Sequence, residues 1–132
     1  MNWLSVRNPI TYDEVIAIEE FFNITLPSDY KNAVGEINGG ALKSAYVLHP
    51  TLGKIAYSRN VALDKKTKAN IFELFEIFQN KNLFPFGQVG NGDYFCFDLK
   101  DHSVVIYFHE TDNIEYVCDS FTKLMEMICV SE

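Results

Sequence analysis

The chain opens with a helical period. Val15, Ile18 and Phe22 fall three and four residues apart, Phe21 stands beside them, and Glu19 and Glu20 turn the other way, which predicts a helix over about 12–23 with one core face and one solvent face. Thr11-Tyr12-Asp13-Glu14 starts it as a capping box, in which the Thr11 hydroxyl and the Glu14 carboxylate satisfy two orphan amides reciprocally. Leu26-Pro27 breaks this helix, and Ser28 or Asp29 caps a short second one. Asn38-Gly39-Gly40 closes it with residues that tolerate a left-handed backbone.

From Ala41 the pattern becomes that of a strand, with Tyr46-Val47-Leu48 stopped by His49-Pro50 and a weaker run over Gly53 to Tyr57. Lys65-Lys66-Thr67-Lys68 is a basic turn or helix entry. Ile71, Leu74, Phe75 and Phe78 follow at helical spacing, flanked by Phe72 and Ile77, so the apolar arc of this third helix is wide. Such an arc is buried on two sides or offers an aromatic docking surface. Leu83 to Gly92, with Phe84-Pro85-Phe86-Gly87 and Gly90-Asn91-Gly92, reads as a turn-rich passage. Tyr94 to Leu99 and Val104 to Phe108 are predicted to form an antiparallel hairpin around Lys100-Asp101-His102-Ser103, at the centre of the sheet. Tyr116-Val117-Cys118 adds a short strand. Asp119 or Ser120 then caps a last helix with Phe121, Leu124, Met125 and Ile128 inward. The order of elements predicts one α+β domain over residues 1–132, built on one core and one sheet.

Composition fits this picture. The chain of 132 residues is 48% hydrophobic with 11 phenylalanines, which is enough apolar surface to order one core and excludes general disorder. Charge or Asn interrupts every apolar run well short of the roughly 20 residues that cross a bilayer. Met1 to Pro9 lacks the features of a signal peptide, so a cytoplasmic location is expected. Cys96, Cys118 and Cys129 have no C-x-x-C spacing, and His49, His102 and His109 stand far apart. Free thiols, no metal site and no cofactor are the reading.

A net charge of −7 argues against direct contact with nucleic acid and permits a basic protein partner. It is unevenly spread. Residues 1–40 hold six acids and two bases, 41–82 three and seven, and 83–132 nine and two.

No catalytic set emerges. Gly90-Asn91-Gly92-Asp93 lacks the Lys and Ser/Thr of a P-loop, and Asp93 would repel phosphate. Alternation puts Tyr94, Cys96 and Asp98 on one face and Phe95 and Phe97 on the other, so Cys96 reads as a buried thiol and not as a nucleophile served by His109. His109-Glu110 near Asp112 has the composition of a loop after a strand. Ser28, Ser58, Ser103 and Ser120 lack a nucleophile-elbow context. An enzyme is not expected.

Several motifs occur together in a set order. Leu26-Pro27-Ser28-Asp29-Tyr30-Lys31 runs to Asn38-Gly39-Gly40; Pro85-Phe86-Gly87, Gly90-Asn91-Gly92-Asp93 and Cys96-x-Asp98 follow; Ser120-Phe121 opens the last helix. From Thr11 to Ile128 the chain thereby resembles the SUKH superfamily, which includes the yeast cell-wall and glucan-synthesis regulators. The resemblance implies an α+β fold with helices packed on a mixed, largely antiparallel β-sheet, in agreement with the order of elements. It also implies binding: bacterial members are largely immunity proteins that neutralise toxins, often nuclease domains of polymorphic or contact-dependent systems, and eukaryotic members are regulatory hubs. The expected partner is then a basic nuclease toxin, met by a monomer or weak dimer without direct contact to nucleic acid or membrane. The acidic C-terminal third is the expected contact, with Asp93, Glu110, Asp112 and Glu115 as electrostatic residues and Tyr94 and Tyr116 as anchors. The alternative is a regulatory scaffold that binds a cellular enzyme through Lys65 to Lys68 and the helix after them.

Overall fold

The computed structural model describes residues 1–131; Glu132, one of the acids of the C-terminal third, lies outside them. Helix α1 (Tyr12–Phe22) begins with the capping box complete, Thr11 and Glu14 each bonding the other's amide. Helix α2 (Ser28–Ile37) follows Pro27 without a side-chain cap. Asp29 instead accepts the Thr122 amide and hydroxyl at 2.9 and 2.8 Å, which ties α2 to the last helix. Strands β1 (Ala45–His49), β2 (Gly53–Ala56) and β3 (Arg59–Asn60) precede helix α3 (Ile71–Phe78), which the Asn70 side chain caps and a 3-10 turn at Gln79–Lys81 extends. Then come β4 (Leu83–Gly90), β5 (Asp93–Asp98), β6 (Val104–Phe108), β7 (Asn113–Cys118), helix α4 (Phe121–Met127) and β8 (Ile128–Val130). Ser120 caps α4 by accepting the Lys123 amide.

The fold is α+β, and its strands form two sheets where one was expected. Five strands run in the order β3-β4-β5-β6-β7 and three in the order β2-β1-β8, and every pairing between them is antiparallel. The second sheet is the β1–β2 pair, widened to three strands because Ile128, expected on the inner face of the last helix, leaves helical backbone and pairs with Val47. Leu83 to Gly90 is likewise a strand and not a passage of turns. Pro85 and Gly87 flank a shift in its register, where the missing amide of proline is tolerated. A Cβ on Gly87 would lie 2.6 Å from the Tyr57 ring, so glycine there lets the two sheets approach. The tight turn at Gly90-Asn91-Gly92 stands as expected, with φ of 123°, 48° and 95°.

One core takes a side chain from every layer: Val15 and Ile18 of α1, Tyr30 and Val34 of α2, Ile71 and Phe75 of α3, Phe121 of α4, Val47 of β1, and Phe84, Phe86, Phe95, Phe97 and Ile106 of the large sheet. Phe86 stacks on Phe97 at 4.2 Å, and Tyr30 meets Phe84, Phe86, Phe97 and Phe121. The opposite face of the large sheet carries a smaller cluster of Leu83, Cys96, Val105 and Tyr107 beneath Phe78. Alternation along β5 therefore divides Phe95 and Phe97 from Tyr94 and Cys96 as expected. Two residues of α1 are exchanged relative to expectation. Glu19 is buried because its carboxylate accepts the Leu26 amide at 2.6 Å and Lys31 Nζ at 3.3 Å, whereas Phe21 is 70% exposed.

Candidate functional site

The turn between β4 and β5 and the turn between β6 and β7 share one end of the large sheet, since Gly90 pairs with Asp93 and Phe108 with Asn113. Five of the six sequence-predicted contact residues, Asp93, Tyr94, Glu110, Asp112 and Glu115, lie at or near this end, and Tyr116 follows along β7. They are not equivalent. Asp93 Oδ1 lies 2.7 Å from His109 Nδ1 and accepts the His109 amide at 3.0 Å, an ion pair across the strand ends when the imidazole is protonated. Gly92 leaves room for that imidazole, whose Nδ1 would be 3.0 Å from a Cβ there. Asp112 accepts the Tyr107 hydroxyl at 2.6 Å and Lys81 Nζ at 2.8 Å. Hydrogen bonds from Lys81 and then Tyr107 hold its carboxyl below the ordinary value, and the same bond to Asp112 raises the Tyr107 phenol.

Glu110 and Glu115 differ from these two. Both are exposed, and among the described residues no hydrogen bond or ion pair engages their carboxylates. The register of β7 puts Glu115 opposite Ile106 and Tyr116 opposite Val105, so the acid and the aromatic project from opposite faces of the edge strand. Tyr116 is 55% exposed and its neighbour on the same face, Ile114, 46%. The Tyr116 hydroxyl donates to Asp119, which pushes its pKa up to about 12. Tyr94 shares that face but is half-buried against the Phe78 ring at 5.6 Å.

The edge of β7 is partly occupied. His49 Nε2 donates to the Tyr116 carbonyl at 2.9 Å while its Nδ1 accepts the Thr51 and Leu52 amides, which sets the tautomer and ties β1 to the large sheet. His49, His109 and Lys81 were not singled out as parts of this end, because their partners lie 16 to 67 residues away and only the tertiary fold reveals them.

Chemistry at Cys96 is opposed by its surroundings. The thiol is fully buried, burial pushes its pKa well up, and His109 pairs with Asp93. Among the described residues no group of three or more His, Cys, Asp or Glu stands where it could hold a metal ion, and no helix is long and apolar enough to cross a membrane. The stripe of α3, read as either buried or docking, goes inward: Ile71, Leu74, Phe75 and Phe78 are buried. Lys65, Lys66 and Lys68 beside it are exposed.

No curated protein matches the sequence. The model of the SMI1 / KNR4 family (SUKH-1), a family of immunity and regulatory proteins, matches residues 9–127. That match runs from three residues before α1 through all four helices and both sheets short of β8, and the chain therefore belongs to the SMI1 / KNR4 family (SUKH-1).

Proposed function

We propose that the chain is an immunity protein that works in the cytoplasm, binding a cognate nuclease toxin and neutralising it by protein–protein contact, as a monomer or weak dimer. The observation that carries this reading is the make-up of the β6–β7 end. Exposed Ile114 and Tyr116 stand on one face of an edge strand, Glu115 projects from its other face and Glu110 from the turn before it, and among the described residues neither carboxylate is paired. A nuclease is basic where it meets phosphate. Free carboxylates speed association with such a surface, and a desolvated aromatic slows release. Asp93 and Asp112 belong to the contact as residues that shape it, because Asp112 already holds Lys81 and Asp93 is hydrogen-bonded to His109.

The test uses the basic protein encoded beside this gene. Glu110→Lys with Glu115→Lys is expected to slow association and flatten its salt dependence, and Tyr116→Ala to speed dissociation. Unchanged kinetics in both variants would place the contact elsewhere. The exposed Lys65, Lys66 and Lys68 favour a second reading, a regulatory scaffold that binds a cellular enzyme. A pull-down that recovers an enzyme of cell-wall synthesis and no nuclease would decide for it.

A further inference from the structure

Glu14, Ala17, Ile18 and Phe21 follow one another at i, i+3, i+4 and i+7, so they form a single stripe along α1, and this stripe lines an open cleft of about 510 Å3. Leu63, Lys65, Lys66 and Phe72 form the opposite wall. Ala17 and Phe21 are exposed, and Phe21, at the C-terminal end of α1, extends an apolar patch with Phe72 and Phe22. Its position is well supported. The ring meets Phe22 edge-on at 5.1 Å and Phe72 at 5.7 Å, and Phe22 meets Phe75 of the core at 4.2 Å. Phe21 is thus the rim of a rigid aromatic wall.

Charge says what fits against it. The two acids of the cleft are hydrogen-bonded by neutral groups of the chain, Glu14 by Thr11 and Asp64 by Asn38 and Thr67, and keep their charge, so the basic part of the lining is the wall of Lys65 and Lys66. Lys65 lies over the Phe72 ring at 4.9 Å, and among the described residues no carboxylate pairs with Lys65, Lys66 or Lys68, whereas Lys31 and Lys81 each have one. A symmetric contact between two copies would set Lys65 and Lys66 of one cleft against the same lysines of the other, which disfavours a second copy of the chain as the occupant.

From this geometry we infer that the cleft binds an acidic amphipathic helix of another protein, its apolar stripe laid against Ala17, Phe21 and Phe72 and its carboxylates against Lys65 and Lys66. Seven residues along α1 span about 10 Å, the length of two helical turns, and the small Ala17 at the middle lets a second helix come close. The cleft shares no residue with the β6–β7 end, so this partner is distinct from a basic toxin and does not depend on that reading.

The test uses the full chain and a fluorescein-labelled helical peptide of about 18 residues, or five turns, with Leu and Trp at i, i+3, i+4 and i+7 and Glu elsewhere. A second peptide carries Lys for every Glu. At low salt the acidic peptide is expected to bind, shifting the amide resonances of Ala17, Phe21, Lys65 and Phe72. Lys65→Glu with Lys66→Glu is expected to weaken it about tenfold. Phe21→Ala is expected to weaken it similarly, with an unchanged far-UV circular dichroism spectrum because the ring is 70% exposed and the fold does not rest on it. No binding up to millimolar peptide, equal binding of the lysine peptide, or resonance shifts centred elsewhere would overturn the proposal. So would sedimentation showing a dimer that Phe21→Asp dissolves, since the occupant would then be a second copy.

Discussion

The wholly buried side chain of Asn38, at the end of α2, joins three parts of the chain, and its removal has a calculable cost. Its Nδ2 donates to the Asn8 carbonyl at 2.9 Å and to Asp64 Oδ1 at 2.8 Å, and its Oδ1 accepts the Leu63 amide at 2.7 Å. In Asn38→Ala, water can replace the bonds to the exposed Asn8 and the half-exposed Asp64. The Leu63 amide has no such replacement, because Leu63 is buried and its donor is stranded. A stranded amide costs roughly 1–3 kcal/mol and the other two bonds about 1 kcal/mol each before water compensates, so a loss of about 3 kcal/mol is expected. For a chain of this length that corresponds to a fall in melting temperature of about 10 °C. Asn38→Asp keeps an acceptor for Leu63 but sets a second carboxylate against Asp64. The new carboxyl then has a folded pKa above its unfolded value, so its penalty is full at neutral pH and diminishes as pH falls through the folded value. Urea melts followed by far-UV circular dichroism, and by the fluorescence of Trp3 against Tyr57, measure both variants. A loss below about 1 kcal/mol for Asn38→Ala, or an Asp variant more stable than the Ala variant at neutral pH, would refute the reasoning.

Three further outcomes are expected. The Tyr30 hydroxyl is buried among aromatic rings and has no hydrogen-bond partner among the described residues, so Tyr30→Phe should leave stability unchanged or raise it by up to about 1 kcal/mol; a loss of that size in a urea melt would mean the hydroxyl is satisfied. Cys96 and Cys118 are buried with thiols pushed up chiefly by that burial, and Cys129 is half-exposed, so Ellman's reagent should label Cys129 rapidly and the other two only on unfolding. Burial raises the Asp64 carboxyl, but hydrogen bonds from Thr67 and Asn38 outweigh it, and Asp112 is lowered by Lys81 and Tyr107. Both folded values lie below the ordinary 3.8, so their contribution is complete above that pH and is lost as pH falls below it. The melting temperature should drop below about pH 4, and less steeply in Asp112→Asn; identical acid limbs for the two proteins would contradict this.

Much of the fold was legible because its signals are short-range. The capping box of α1, the Ser120 cap of α4 and the turn at Gly90-Asn91-Gly92 each operate within about four residues, where residue type settles the local bonds. The alternation along Tyr94 to Phe97 is equally local, and it sorted Cys96 from the two phenylalanines correctly. Strand β4 was hidden because proline and glycine argue against a strand until a neighbouring register shift and the Tyr57 ring supply reasons for them. Glu19 was placed outward because an acid on a helix is normally solvated; the Leu26 amide and Lys31 that receive it come from beyond the helix end.

The candidate contact divides along the same line. That the last third of the chain is acidic, and that aromatic residues accompany the acids there, follows from the sequence by itself, since charge and side-chain type need no partner. Which of those acids are free was decided only by tertiary structure. Strand pairing brings His109 to Asp93 across 16 residues, the turn after α3 brings Lys81 to Asp112, and among the described residues Glu110 and Glu115 are left without a partner. The same holds for the cleft along α1. Its stripe is visible as spacing, but a helix face becomes a groove only when the packing of Phe72 and Lys65 builds the second wall and nothing among the described residues closes it.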